Sequence, residues 1–279
     1  MIITNENLFL IILGLVWVIG AILQDLRRRE VDNIWNFSLI AIALAYRLSV
    51  SVFSGDYWFF YNGLLGFAVF LFLGNLFYYS RLFAGGDAKL LIALGTILPL
   101  SLNWIVNFKI FSSYILLFFL GGSIYVFCWS LFLVFINWNR FSNEFVKQFR
   151  NYKKLFLISF IFVLLWFLGS FLVGSEFAFI GLVFLLFPLL FVFSKAVEES
   201  CMVKKVYPKD LTEGDWLYED LYIKGNRIKK KWEGVSKEEL RLIRKKYNRK
   251  IMVKYGVPFT PSFLIGLIGL LYLDKIGWF

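Results

Sequence analysis

The sequence predicts an all-α polytopic membrane protein, with about eight transmembrane helices and a small α+β cytosolic segment before the last of them. Three observations carry this. Of 279 residues, 59% are hydrophobic, including 34 Phe and 10 Trp, whereas a soluble domain sits nearer half. The apolar residues fall in blocks of roughly 17–25, the length that crosses about 30 Å of hydrocarbon as a helix. The blocks are continuously apolar rather than alternating, which excludes a β-barrel as the main architecture. In lipid, each segment must then satisfy its own backbone polar groups, and that requires helices.

In chain order the spans are expected at 7–25, 34–53, 59–79, 88–104, 111–136, 155–173, 177–194 and 260–278, the fourth interrupted by Pro99. With the N-terminus outside, segments 26–33, 80–89, 137–154 and 195–259 face the cytosol. They hold 27 of the 30 basic residues, leaving only Arg47, Lys109 and Lys275 elsewhere. This is the positive-inside asymmetry, and it places both termini outside a multi-pass cell-membrane protein. The net charge of +11 then describes an inner face beside the anionic lipid bilayer and calls for no nucleic-acid partner. Residues Met1 to Leu8 carry no basic residue and the positive cluster follows the first span, the reverse of a cleavable signal peptide.

Four parts are expected. Residues 1–136 form a compact transmembrane core. Residues 137–194 comprise a basic inner loop and an additional transmembrane hairpin turning at Gly174-Ser175-Glu176. Residues 195–259 are the one sizeable soluble segment, and 260–279 the last helix. Within the soluble segment, Tyr222-Ile-Lys-Gly225-Asn226-Arg-Ile reads as a hairpin turn between short strands. Ser236-Lys-Glu-Glu239 reads as a capping box opening a helix over 237–249, with Leu240, Ile243 and Tyr247 on one face. Its Lys/Arg run is read as a solvated, lipid-facing surface. No internal repeat or low-complexity tract is present.

The chain contains no His, which excludes His-based catalysis and His-rich metal sites. Cys128 lies mid-membrane and Cys201 in the soluble segment, so neither a disulfide nor a metal-ligand spacing is expected. No cofactor is called for. What remains is a pair of acids: Asp25, closing the first span, and Asp87, opening the fourth, in segments otherwise almost free of carboxylates. An acid at the margin of a span is costly unless something needs it there. The first span runs inward and the fourth outward, so both acids reach the same cytosolic margin, as a proton-sharing pair requires. Gly85 and Gly86, before Asp87, would permit positive φ or the close approach of a substrate strand. Lys89 reads as a snorkelling lysine, with holding Asp87 as a secondary role. Structural readings stand beside these: Asp87 as a helix cap, Asp25 as a neutraliser of Arg27-Arg28-Arg29, and Asp32 with Asn33 as the cap of the second span.

Three stretches resemble the archaeal prepilin and preflagellin (prearchaellin) peptidases, the GxGD-type membrane aspartic proteases. Gln24-Asp25-Leu-Arg-Arg-Arg-Glu30-Val31 with Ile34-Trp35 resembles the first catalytic segment. Gly85-Gly86-Asp87-Ala-Lys89-Leu resembles the GxGD segment, and Gly256-Val-Pro258-Phe259-Thr-Pro261-Ser-Phe a proline-containing run before the last helix. The resemblance covers roughly residues 7–136 and 205–279. It implies an aspartic endopeptidase, with Asp25 and Asp87 catalytic and no metal, cutting short basic leaders from prepilin or prearchaellin precursors on the cytosolic side. This chain departs from the pattern at Ala84, where the strict motif has Gly. Its eight expected spans also exceed the six of better-known archaeal members.

Competing readings are a transporter, a non-enzymatic pilus assembly factor and a presenilin-type intramembrane protease. A transporter would place its acids nearer the midplane and often shows inverted repeats. A presenilin-type partner acid would sit in the immediately preceding helix, where Tyr78-Tyr79 offers none.

Overall fold

The computed structural model describes residues 4–174, 178–223 and 226–279. In chain order the helices are α1 (Asn5–Arg28), α2 (Asn33–Ser54), α3 (Trp58–Tyr79), α4 (Gly85–Leu94), α5 (Trp104–Ile136), α6 (Trp138–Asn151), α7 (Lys153–Val173) and α8 (Ala178–Cys201). After β1 (Val203–Val206), β2 (Trp216–Leu217), β3 (Leu221–Ile223) and β4 (Asn226–Ile228) come α9 (Lys237–Lys246), β5 (Ile251–Lys254) and α10 (Pro261–Lys275). Among the described residues, α1, α2, α3, α5 and Lys153–Ser170 of α7 are long and apolar enough to cross a membrane. The chain separates into two compact units, Met1–Cys128 with Pro258–Phe279, and Trp129–Val257. The last helix, expected as a part of its own, is thus a component of the first unit.

The first unit is a helical bundle around one core that runs from Leu10 to Leu270. Helix α1 shows how the sequence builds it. Asn7, Leu10, Gly14, Val18, Ala21 and Asp25 recur every three or four residues and are buried, whereas Leu8, Ile12, Val16, Ile19 and Leu23 form an exposed apolar stripe suited to lipid. Asp25 therefore continues the inward face of α1. The indoles of Trp17 and Trp35 stack at 5.0 Å, and each donates its N–H to the other's carbonyl, at 3.0 and 2.9 Å. The Trp35 ring lies where a Cβ on Gly20 would stand, 2.2 Å from its Cζ2. This clip fixes α2 against α1 close to the end that carries Asp25.

The fourth expected span differs from the sequence reading. Regular helix there is limited to the ten residues of α4, and irregular chain leads from Gly95 to α5. Non-helical backbone at membrane depth is tolerated only where protein satisfies it, and residues 95–100 are all buried. Arg47 is the reason they can be. Left outside the inner segments by the charge distribution, it is wholly buried and donates to the carbonyls of Thr96 (2.8 Å), Ile97 (3.1 Å), Pro99 (2.7 Å) and Phe59 (3.0 Å). Glycine brings α3 against this stretch. A Cβ on Gly66 would lie 2.4 Å from the Gly95 carbonyl oxygen and 2.2 Å from Pro99 Cγ, so the two backbones approach as only small residues allow.

In the second unit, α7 and α8 pack together and α6 lies along α8. The loop expected at 137–154 is therefore largely helix. Its basic residues hide an apolar face: Phe141 and Phe145, one turn apart, pack with Phe193, Ala196 and Val197. The turn expected at Gly174-Ser175-Glu176 falls in part on 175–177, outside the described residues.

The segment 195–259 has the expected α+β character. An antiparallel sheet of order β1-β5-β2 and the separate hairpin β3-β4 share a core of Leu211, Leu221, Ile223, Ile228, Val235, Ile243 and Val253 with α9. The hairpin's register pairs Ile223 with Asn226, and its turn residues 224–225 lie outside the described residues. The capping box forms as read: Ser236 Oγ accepts from the Glu239 N–H, and the Glu239 carboxylate accepts from the Ser236 N–H. Helix α9 ends at Lys246 because Tyr247 turns extended and leads the chain toward β5. Ser236→Ala is expected to weaken α9 by about 1 kcal/mol, seen as faster amide exchange over 237–246 in the full-length protein.

Candidate active site

The site is built on the first unit, at the end where α1 finishes and α4 begins. The opposite end is marked by Asn7, whose side chain donates to the Leu100 carbonyl at 2.7 Å, joining the start of α1 to the chain beyond α4. Asp25 thus lies beside the start of α4, as the antiparallel reading of the two segments requires. The Asp25 and Asp87 carboxylates are within electrostatic reach of one another. Asp25 is buried and Asp87 is nearly so.

Local chemistry explains each placement. Helix α1 stops directly after Asp25: Arg29 adopts a left-handed conformation (φ 59°) and returns its N–H to the Asp25 carbonyl. The Gln24 side-chain oxygen then accepts from the Asp32 N–H at 2.9 Å, folding the 29–32 turn back over the helix end. Asp87 is the third residue of α4, whose cap position is Ala84. Its carboxylate lies close to the Ala84 backbone, beside the unpaired amides and positive dipole end of the helix. Asp87 therefore occupies the first turn rather than the cap.

The remaining expected residues are rearranged. Gly85 and Gly86 are helical and neither has positive φ, so the expectation of a special backbone angle is overturned: the helix begins two residues before Asp87, and ordinary helical geometry suffices. A Cβ on Gly86 would be 3.8 Å from Val31 N, an ordinary contact, and one on Gly85 would be 3.8 Å from Tyr78. What passes closest to Gly86 in this structure is the chain's own Val31. The ammonium of Lys89 donates to Asn33 Oδ1 at 2.6 Å, a tie between α4 and α2 rather than the hold on Asp87 read as its secondary role. Asp32 occupies the cap position of α2 but makes no side-chain cap bond; its carboxylate lies 3.8 Å from Arg28, with both side chains exposed.

Two site residues escaped the sequence reading. Thr260 donates its hydroxyl to Asp25 Oδ2 at 2.9 Å, and its backbone N–H points at the same oxygen at 3.4 Å. Tyr125 of α5 lies within electrostatic reach of both Asp25 and Arg29. The only signal for Thr260 was its place between Pro258 and Pro261 in the run before the last helix, and for Tyr125 there was none.

The bundle thus brings two carboxylates from separate helices to one end, within electrostatic reach of each other. Residues 12–136, which hold both acids, match the type IV leader peptidase family, so the resemblance read from the Asp25 and Asp87 segments holds across that stretch. A preflagellin peptidase of Methanococcus maripaludis strain C6 is 33% identical over 113 residues, 36% of this chain and 48% of the relative. A preflagellin peptidase of Methanocaldococcus jannaschii is 32% identical over 88 residues, 32% of this chain and 37% of the relative. The chain thus spans about half or less of the length of these curated relatives. No solved structure matches.

Proposed function

We propose that this protein is a membrane aspartic endopeptidase that removes the short basic leader from prepilin-like or prearchaellin precursors at the cytosolic face. The observation that carries the reading is the proximity of Asp25 and Asp87 within the stretch that matches the leader peptidase family. Like charges within electrostatic reach of each other resist simultaneous ionisation, and in this reading the two carboxylates share one proton. The charged acid takes a proton from water as the water oxygen bonds to the scissile carbonyl carbon, and the protonated acid donates to the carbonyl oxygen. The tetrahedral adduct then collapses: the C–N bond breaks, the nitrogen takes a proton from the pair, and the carboxyl and amine products leave. The preflagellin peptidase relatives support the prearchaellin class as a principal substrate.

In this reading the chain crosses the bilayer eight times. The short α4 with its buried extension, α8 and α10 join the five longer helices, and both termini are outside. The distribution of basic residues supports this orientation, and it puts the acids where a precursor whose helix lies in the membrane presents its cleavage point. In a variant with Cys128 and Cys201 replaced by Ser, a cysteine at position 275 is expected to react with an impermeant reagent on intact cells. A cysteine at position 245 is expected to react only after permeabilisation, and the reverse pattern would overturn the orientation. Cleavage of a synthetic precursor by the purified full-length protein tests the activity itself; no cleavage of any prepilin-like or prearchaellin precursor would sink the reading.

A further inference from the structure

The strongest observation left over by the dyad is the behaviour of Thr260. Thr260 occupies the cap position of α10, with Pro261 as the first helical residue. A threonine there ordinarily turns its hydroxyl back to accept an N–H from its own helix. Here it makes no such bond. The hydroxyl faces away from α10 and donates to Asp25 Oδ2 at 2.9 Å, in a buried pairing 235 positions apart in sequence. The backbone N–H of the same residue is directed at the same oxygen. Two donors from one residue thus converge on one carboxylate oxygen, while the favoured local use of the side chain is forgone.

The surroundings hold Thr260 in that pose. Phe259 and Phe263, on either side of it, pack on Phe118 at ring separations of 5.3 and 4.7 Å, and Phe83 reaches both at 6.0 and 6.4 Å. Phe83 lies just ahead of α4, so one aromatic cluster anchors both the start of the Asp87 helix and the residue that grips Asp25. Pro261 fixes its own φ, and the N–H groups of Ser262 and Phe263, the usual donors to a capping hydroxyl, go to the Phe259 and Thr260 carbonyls instead.

We propose that Thr260 is a positioning residue for the aspartate pair. Resting on the proteolytic reading above, the assignment is that its hydroxyl and N–H lock the Asp25 carboxylate in one rotamer through Oδ2, leaving Oδ1 to engage the reacting water. A carboxylate free to rotate would spend much of its time misdirected, and misplacement of a reacting group by about 1 Å can cost 10²-fold in rate.

The test uses the purified full-length protein, a synthetic precursor with a basic leader ahead of an apolar helix, and four variants. Thr260→Val keeps the shape and the backbone N–H but removes the hydroxyl, and is expected to lower kcat by about 10- to 100-fold with KM and thermal unfolding in detergent near those of the parent. Thr260→Ser restores the donor and is expected to recover kcat to within a few-fold. If the valine variant does not accumulate as folded protein, Thr260→Ala is read in the same way. Parental kcat in the variant lacking the hydroxyl overturns the proposal. So does a serine variant no better than it, or an activity loss that only follows the loss of folded protein, since a mere tie between α10 and α1 would behave so. Asp25→Asn separates the two levels: if it still cleaves, the aspartic reading itself fails, whereas an inactive Asp25→Asn beside a fully active Thr260→Val removes only the role of Thr260.

Discussion

Asp25→Asn and Asp87→Asn are each expected to lower leader cleavage by about 10²- to 10⁴-fold, the range over which positioned acids and bases contribute, while leaving the helical bundle folded. Asparagine matches aspartate in shape, and at position 25 its side-chain oxygen can still accept from Thr260, which donates to Asp25 Oδ2 at 2.9 Å. What it lacks is the ability to gain or lose a proton near neutral pH. Helix α4 should survive the change at 87, since Ala84 rather than Asp87 is its cap residue. Circular dichroism and thermal unfolding in detergent should therefore stay close to those of the parent while turnover collapses. In the parent, rate should pass through a maximum with pH, falling in acid as the second carboxylate gains a proton and in alkali as the shared proton is lost. Near-normal turnover by either variant would exclude a two-carboxylate mechanism.

The residues needed for that experiment were legible in the sequence because their signals are local. Asp25 stands out as an acid ending an apolar block. Asp87 stands out beside two glycines, and the charge segregation places both at one margin. The capping box at Ser236 and the hairpin strands were legible for the same reason, since each is written within a few consecutive residues. Other features depend on contacts that no window contains. The glycines before Asp87 suggested an unusual backbone angle, but the helix starts at Gly85 and none is needed. The amphipathic period of α6 is interleaved with basic residues, and its apolar face is defined only by Phe193 and its neighbours. The fourth span reads as one apolar block; that its helix ends at Leu94 depends on Arg47, 49 positions from Thr96, and on the approach of Gly66 to Gly95. Thr260 is separated from Asp25 by almost the whole chain, and sequence spacing carries no trace of their bond.

Arg47→Met is expected to be the most destabilising single change in the first unit, although Arg47 takes no part in the chemistry. Methionine fills much of the same volume but offers no donors, so the carbonyls of Thr96, Ile97 and Pro99 would lose their partner in a site that is wholly buried. Each such orphaned group costs about 1–3 kcal/mol, and lipid supplies no substitute donor, so a loss of at least about 3 kcal/mol follows even if part of the chain relaxes. Arg47→Lys should fall between, because a single ammonium cannot reach four acceptors in the way a planar guanidinium does. The effect should reach the site indirectly. Helix α4 has ten residues, about 15 Å at 1.5 Å per residue, with Asp87 at one end and the Arg47-held turn at the other, so loosening that turn frees the helix that aims Asp87. Thermal unfolding in detergent should then fall together with cleavage, and the residual activity of Arg47→Met should scale with its folded fraction, unlike the folded but inactive Asp25→Asn. An Arg47→Met protein with parental stability would mean that water or another group satisfies those carbonyls, and that the guanidinium is not what holds the broken span.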